Sequence, residues 1–210
     1  MAVTPGAGRP RIGFFGGAFD PPHRTHVALA REAMAQGRLA QLRIFPTGHA
    51  WHKARTLSPA ADRVAMARLA FGELPGVVVD DRETRRDGPT YTIDTLRELQ
   101  AEQPGAQLVL LLGTDQVQAL PTWNGWQELL ALAIVLVADR AEAAGSPARF
   151  DPHTLPGLPP RARFERLALA PTDTSATDIR ARVARGEDLS RLVPPAVARY
   201  IDQHHLYRTT

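Results

Sequence analysis

The sequence predicts an α/β fold: a doubly wound, mostly parallel sheet with helices on both faces and a small helical part at its C-terminal end. Three observations support this prediction. Short apolar runs recur along the chain, segments with helical spacing separate them, and the two kinds of segment alternate. In folds of this class ligands bind beyond the carboxyl ends of the strands, so a functional site is expected in the loops that follow strands.

Six apolar runs are predicted to form buried strands, because each is short and nearly continuous. They cover residues 11–15, 42–46, 76–80, 108–113, 133–138 and 166–170.

Apolar residues at three-to-four spacing predict helices between these strands, at residues 26–36, 58–71 and 92–103. Ser58 with Pro59 makes a good N-cap and first-turn pair for the second of them. Two further helices are expected at residues 177–189 and 194–207, the first stopping at Gly186. The Pro-, Ala- and Gly-rich residues 139–163 are expected to form a long surface excursion.

Length and composition predict a single folded domain over residues 11–210, preceded by a flexible N-terminus at residues 1–10. The net charge is +3 with both signs interspersed, so nothing demands a nucleic-acid partner, and the chain has no cysteine. No secretory apolar region or membrane-length apolar run is present, which predicts a cytoplasmic protein without a membrane partner. Composition leaves the oligomeric state undetermined.

The stretch GGAFDPPHRTH at residues 16–26 lies directly behind the first predicted strand. Gly16 and Gly17 are placed where the backbone must bend tightly and can approach a ligand without a Cβ in the way. Residues 20–22 are predicted to start a helix, whose unpaired first-turn N–H groups and positive dipole end form an anion site.

His23 and His26 are three residues apart, so they would share a helix face and direct imidazole donors at the same anion. Two helical histidines are more often surface or capping residues, but their position after a strand and a Gly-Gly turn favours a phosphate site. A metal site is the weaker alternative, since no supporting carboxylate or cysteine cluster and no H-E-x-x-H motif is evident. The P-loop motif and the G-x-G-x-x-G fingerprint are also missing.

Two motifs resemble the signatures of the nucleotidyltransferase superfamily. GGAFDPPHRTH is similar to G-x-F-D-P-x-H-x-G-H, and TSATDIR at residues 174–180 is similar to S-x-T-x-I-R. Residues 87–96 and 111–123 resemble the acceptor-recognition segments of bacterial nicotinate-mononucleotide adenylyltransferases, and residues 192–208 resemble the end of that family's chain. The resemblance covers residues 11–208 and implies a Rossmann-like fold, with residues 174–208 carrying the second nucleotide-binding signature.

The resemblance implies that the 5′-phosphate of nicotinate mononucleotide attacks the α-phosphate of ATP, giving deamido-NAD and pyrophosphate with Mg²⁺ assistance. It implies that His23 and His26 bind the phosphate oxygens, and that Arg180, at the start of its helix, holds the triphosphate from the other side. Lys53, the only lysine, lies in a loop that matches the family's basic loop and is expected to contact phosphate, with His52 a weaker candidate.

The remaining site residues follow from the same resemblance. Gly16, Gly17 and Phe19 are expected at the ATP site, together with Ser175 and Thr177, which are placed just before the last signature's helix and can cap it or donate to phosphate.

For the acceptor, backbone N–H groups near Tyr91 and Thr92 are expected to face the nicotinate carboxylate. Asp115 would accept hydrogen bonds from ribose hydroxyls, unless it caps a helix. Trp123 would offer its flat face to the pyridine ring, unless it is a core residue. The metal ligands are undetermined.

Thr25 departs from the family pattern, which has glycine at that position. A Cβ and a hydroxyl there leave the detailed nucleotide pose open. Three other functions also stay open. The first is adenylyl or cytidylyl transfer to another phosphate acceptor, such as nicotinamide mononucleotide or pantetheine phosphate. The others are an aminoacyl-tRNA synthetase-like core, although the chain has no room for a tRNA-reading domain, and a non-catalytic nucleotide sensor.

Overall fold

The computed structural model describes residues 8–48, 56–140, 150–170 and 174–208, with the main chain alone at residues 139 and 140. Six strands form one sheet: β1 (Arg11–Gly17), β2 (Gln41–Pro46), β3 (Val77–Val79), β4 (Gln107–Gly113), β5 (Ala133–Arg140) and β6 (Phe164–Leu169). Their order is β3-β2-β1-β4-β5-β6, and every neighbouring pair is parallel. The predicted doubly wound α/β class and all six predicted strands are therefore confirmed.

Seven α-helices lie in the described residues: α1 (Arg24–Gln36), α2 (Ala60–Phe71), α3 (Thr92–Glu102), α4 (Thr114–Ala119), α5 (Trp126–Leu132), α6 (Ala176–Ala184) and α7 (Pro195–Gln203). Short 3₁₀ helices occupy Arg82–Arg85, Leu120–Thr122 and Pro152–Thr154. The helices predicted between strands are present, but α4 and α5 were not predicted. None of the described helices is long and apolar enough to cross a bilayer.

The sheet separates two apolar layers because successive strand residues point to opposite faces. Phe15, with alternate residues of its neighbouring strands, faces the buried residues of α1, α2, α6 and α7. Phe14 faces the other way, towards α3, α4 and α5. Within α3 the buried residues Ile93, Leu96 and Leu99 recur every third position, which is the stripe that the sequence displays. Both faces of the sheet are thus covered by helices.

The start of α2 differs from the prediction. Its N-cap is Pro59 rather than Ser58. Ser58 is held by its backbone instead: its N–H donates to the carboxylate of Asp20 at 3.2 Å, and its carbonyl accepts from Arg63 at 3.0 Å. The tertiary partners of Ser58 therefore replace its expected capping role.

The C-terminal helices are shorter than the ranges 177–189 and 194–207. Helix α6 ends at Ala184, and Gly186 follows in the left-handed conformation with φ 70°, donating its N–H to the carbonyl of Val183. The predicted stop at Gly186 is thus confirmed.

Residues 150–163 do not lie wholly on the surface, because Pro152 and Leu155 are buried and Leu155 packs into the layer of α3 and α5. Strand β5 also runs two residues into the predicted excursion. Residues 141–149 lie outside the described residues.

Strands β1 and β4 are adjacent at the centre of the sheet, and the chain winds outward in one direction from β1 and in the other from β4. This reversal creates a crevice at the carboxyl ends of the two strands, which is the usual ligand position in such folds. The loops after β1, β2 and β4 therefore frame the candidate site.

Candidate active site

A cavity of about 360 Å³ lies at this crevice. Its size falls in the range of about 300–1,000 Å³ that is typical of small-molecule sites. Its walls come from the ends of β1 and β4, the loop after β2, the start of α3, and the turn after α4; the lining residues are Phe14, Gly16, Gly17, Ala18, Thr47, Glu83, Thr90, Tyr91, Thr92, Leu110, Leu112, Gln116, Ala119, Thr122, Trp123 and Asn124. Of the predicted site residues, Gly16, Gly17, Tyr91, Thr92 and Trp123 are brought together here.

Gly16 and Gly17 end β1 and pair with β2, so they lie in the strand rather than in the tight bend predicted after it. The end of the strand is closely packed, which explains its glycines. A Cβ on Gly16 would lie 2.9 Å from the ring of Phe14, and a Cβ on Gly17 would lie 3.0 Å from the ring of Phe19. Phe19 itself is buried and has a left-handed backbone, with φ 47°. An aromatic residue in that region costs conformational energy, so the surrounding packing must hold it in place. Phe19 thus supports the loop from inside rather than lining the cavity.

His23 and His26 are close neighbours, but the helix starts later than the prediction placed it. Helix α1 begins at Arg24, so His23 is its N-cap and His26 its third residue. The His23 backbone N–H donates to Nδ1 of His26 at 3.2 Å, and the two imidazoles stack with ring centroids 3.7 Å apart. Because Nδ1 of His26 accepts this bond, the neutral ring carries its proton on Nε2, which is the nitrogen able to donate to an anion.

Arg180 reaches the loop after β1 from the opposite side. It lies in the middle of α6 rather than at its start, and its guanidinium donates to the backbone carbonyl of Asp20 at 2.8 Å. A second guanidinium nitrogen donates to the hydroxyl of Thr177 at 3.0 Å. Thr177 lies within the first turn of α6, not before it, and orients Arg180. Ser175 is the N-cap and accepts from the N–H of Asp178, as its predicted capping role requires.

Lys53 and His52, the predicted basic contacts from the loop after β2, lie outside the described residues. Their roles stay predictions.

The acceptor residues divide into two groups. Tyr91 is the N-cap of α3 and Thr92 its first residue, so the N-terminal end of that helix opens on the cavity. Trp123 is half-buried on the cavity wall. Asp115 instead is exposed on α4 and does not line the cavity; Gly113, not Asp115, is the N-cap of that helix. The next residue, Gln116, lines the cavity and accepts from the N–H of Gly113 at 3.1 Å.

Glu83 is a cavity residue that the sequence did not indicate. It lies in the first 3₁₀ helix, is 4% exposed, and accepts a hydrogen bond from the hydroxyl of Thr95 at 2.7 Å. Arg86 donates to that same hydroxyl at 2.8 Å. Burial raises the pKa of Glu83 to about 7, against the opposing effects of the Thr95 hydrogen bond and the Arg86 charge. A carboxyl group that is partly neutral near pH 7 thus lies in the cavity wall.

Asp20 matches the aspartate of the first signature, but the sequence did not indicate the contacts that it makes. The residue is 2% exposed, and its carboxylate accepts from the hydroxyl of Tyr207 at 2.6 Å and from the backbone N–H of Ser58 at 3.2 Å. Together with the Arg180 bond to its carbonyl, Asp20 connects the loop after β1 to three other parts of the chain. Nothing local in the sequence signals this, because the partners lie up to 187 residues away.

Thr25 lies in the first turn of α1, and its hydroxyl oxygen is buried without a hydrogen-bond partner among the described residues. Over the same residues no group of three or more His, Cys, Asp or Glu side chains could hold a metal ion.

The sheet order, the histidine pair and the signature arginine are those of a nucleotidyltransferase. Comparison with known families agrees, because the cytidylyltransferase-like family matches residues 14–182. The chain belongs to that family. A relative from Albidiferax ferrireducens, named "Probable nicotinate-nucleotide adenylyltransferase", is 56% identical over 95% of this chain and 98% of its own. A protein of the same name from Methylibium petroleiphilum is 44% identical over 94% and 92% of the two chains.

Solved structures share the fold. Nicotinic acid mononucleotide adenylyltransferase of Plasmodium falciparum, complexed with APC, superposes with a TM-score of 0.76 at 16% identity, covering 94% of this chain and 97% of that one. The same enzyme complexed with NaAD gives a TM-score of 0.75.

Proposed function

We propose that this protein transfers the adenylyl group of ATP to the 5′-phosphate of nicotinate mononucleotide, giving deamido-NAD and pyrophosphate as a step of NAD biosynthesis. The observation that carries the proposal is that the two signature motifs, to which the resemblance assigns phosphate binding, are in direct contact in the fold. Arg180 of α6 reaches across to the very loop that bears His23 and the N-terminus of α1. The names of relatives up to 56% identical over nearly the whole chain support the same conclusion.

The reaction needs positioning and charge neutralisation rather than a protein nucleophile. A phosphate oxygen of the acceptor attacks the α-phosphorus of ATP, the new P–O bond forms, and the bond to the β-phosphate oxygen breaks to release pyrophosphate. His26, fixed by its bond to the His23 backbone, donates from Nε2 to the phosphate oxygens on which charge grows. Arg180, oriented by Thr177, binds the triphosphate with its planar fork, and Lys53 adds a further positive charge.

The cavity suits a pyridine nucleotide that carries a carboxylate. The first turn of α3, at Tyr91 and Thr92, presents backbone N–H groups and the positive end of the helix dipole. Trp123 supplies an aromatic wall for the ring, and Gln116, the neighbour of the predicted ribose contact Asp115 in the sequence, adds a polar side chain to the cavity wall. Burial raises the pKa of Glu83 to about 7, so part of its carboxyl stays protonated at neutral pH. This reduces the negative charge near the nicotinate carboxylate.

Nucleotidyl transfer from ATP generally uses a divalent metal ion, and we propose Mg²⁺. The described residues offer no cluster of carboxylate ligands, and the Asp20 carboxylate already accepts from Tyr207 and Ser58. This donor set fits an ion that enters bound to the triphosphate and keeps water ligands, as Mg²⁺ commonly does. When bound, the ion neutralises phosphate charge; the residues above hold and orient the phosphates themselves.

We also propose that residues 11–210 act as one domain located in the cytoplasm. Hydrogen bonds that connect the C-terminal part to the loop after β1 and to the start of α1 support this. The backbone N–H of Arg24 donates to the carbonyl of Leu192, and the hydroxyl of Tyr207 donates to the carboxylate of Asp20. Both substrates are charged metabolites, which suits a cytoplasmic reaction.

The experiment that tests the proposal is pyrophosphate release by the purified protein with MgATP and one acceptor at a time. Nicotinate mononucleotide should give rapid release, and no acceptor should give none. The Glu73→Gln variant provides a matched control, because Glu73 is exposed and outside the cavity lining, and should stay within about threefold of the wild type in kcat/KM. Release of pyrophosphate with pantetheine phosphate but not with nicotinate mononucleotide would replace the proposed acceptor.

A further inference from the structure

Asp20 connects the loop after β1 (residues 18–23), here called the phosphate-binding loop, to the C-terminal end of the chain. Its buried carboxylate accepts from the Tyr207 hydroxyl at 2.6 Å and from the Ser58 N–H at 3.2 Å, while Arg180 donates to its carbonyl. The preceding residue, Phe19, has a left-handed backbone, so this loop is not in its most relaxed conformation. Contacts from outside the loop must therefore hold it.

Tyr207 is placed with comparable specificity. It lies beyond the end of α7 and has φ 63°, an unusual backbone conformation for an aromatic residue. Its side chain packs with the apolar layer of α1, α2, α6 and α7. Burial and the neighbouring Asp20 carboxylate raise the pKa of the Tyr207 hydroxyl above its usual range, so the group remains a protonated donor.

We infer that the hydrogen bond between Tyr207 and Asp20, here called the Asp20–Tyr207 clasp, positions catalytic groups. It fixes the position of the loop that carries His23 relative to Arg180. This inference rests on the proposed function. The clasp contacts no reacting atom. It acts because Asp20 binds Arg180 through its carbonyl and Tyr207 through its carboxylate, so a shift of this one residue displaces both sides of the phosphate site.

A second tyrosine provides a matched control. Tyr200 of α7 also donates its hydroxyl to an aspartate, Asp62 of α2, at 2.9 Å. Both bonds tie the C-terminal region to another part of the chain and both pair a tyrosine with a carboxylate. Only the bond from Tyr207 ends on the phosphate-binding loop.

The experiment compares Tyr207→Phe with Tyr200→Phe by steady-state kinetics and thermal melting. Each variant loses one hydroxyl and keeps its ring, so both are expected to melt cooperatively, each a few degrees below the wild type. Tyr207→Phe should lower kcat at least about tenfold while the acceptor KM stays within about twofold, because a small misplacement of catalytic groups affects the transition state most. Tyr200→Phe should keep kcat within about twofold.

Two results would overturn the clasp: a kcat for Tyr207→Phe within twofold of the wild type, or an equal loss in Tyr200→Phe. An inactive wild type would instead overturn the proposed function, and the clasp with it. If Tyr207→Phe does not melt cooperatively, the kcat values of Asp20→Asn and Asp20→Ala are compared to test the clasp instead. The asparagine keeps an oxygen that accepts from Tyr207, so its kcat should exceed that of the alanine variant by at least about threefold; equal values would contradict the inference.

Discussion

The buried carboxyl of Glu83 makes a quantitative prediction about stability and pH. Its pKa is raised from 4.5 to about 7, chiefly by burial. Because the native state binds this proton more tightly than the unfolded chain does, the group's contribution favours folding below pH 4.5 and is lost as the pH rises through about 7. At about 1.36 kcal/mol for each pH unit, the loss is roughly 2.5 kcal/mol between pH 5 and pH 8.

The perturbation is Glu83→Gln, which removes the titrating proton but keeps an oxygen to accept the Thr95 hydroxyl. Urea denaturation of both proteins at pH 5, 6, 7 and 8 gives their free energies of unfolding. The wild type should lose about 2.5 kcal/mol relative to Glu83→Gln across this range. The exposed Glu73→Gln makes the same chemical change, and its difference from the wild type should stay constant within about 0.5 kcal/mol.

A wild-type advantage over Glu83→Gln that stays flat, or that grows with pH, would refute this reasoning. A flat difference would mean that favourable interactions with the carboxylate balance its burial, and a growing one that they outweigh it.

Three further predictions concern the site. His23→Ala and His26→Ala should each lower kcat about 10²-fold, with a smaller effect on ATP binding measured by calorimetry; lost affinity at full kcat would limit the pair to ground-state binding. Nicotinate mononucleotide should exceed nicotinamide mononucleotide at least about tenfold in kcat/KM, or roughly 1.4 kcal/mol, because α3 offers donors to a carboxylate; equal efficiency in parallel assays contradicts the carboxylate pocket. Thr25→Gly should cost under about 1 kcal/mol of stability and leave kcat within threefold, whereas a tenfold drop in kcat/KM for ATP in a variant that still melts cooperatively would place Thr25 in the nucleotide site.

The sequence was most informative where structure is local. Each strand is an apolar run a few residues long, and the regular apolar stripe of α3 is visible in the sequence, so the α/β class and the six strands follow from pattern alone. Helix α5 was not predicted because its apolar residues continue directly into β5 without a turn signal. Its C-cap, Ala133, is already the first residue of the strand. Helix α4 has only six residues, too few to show a period.

The site was predictable only where residues are close in sequence. His23 and His26 were found from their spacing, although the N-cap position of His23 depends on the loop that precedes it. The roles of Asp20 and Glu83 could not be found this way, because burial and distant partners create them. The role of Asp115 stays a prediction: it is exposed on α4, and the neighbouring Gln116 lines the cavity.

The proposed adenylyl transfer is tested most directly by following the α-phosphate of ATP. With ATP labelled at the α-phosphate, MgCl₂ and nicotinate mononucleotide, all consumed label should appear in a dinucleotide with the mass of deamido-NAD, and label at the γ-phosphate should appear in pyrophosphate. No label should become bound to the protein, since the acceptor phosphate itself is the nucleophile. Label that remains in ATP, appears as free AMP, or is retained covalently on the protein would contradict direct transfer to the acceptor.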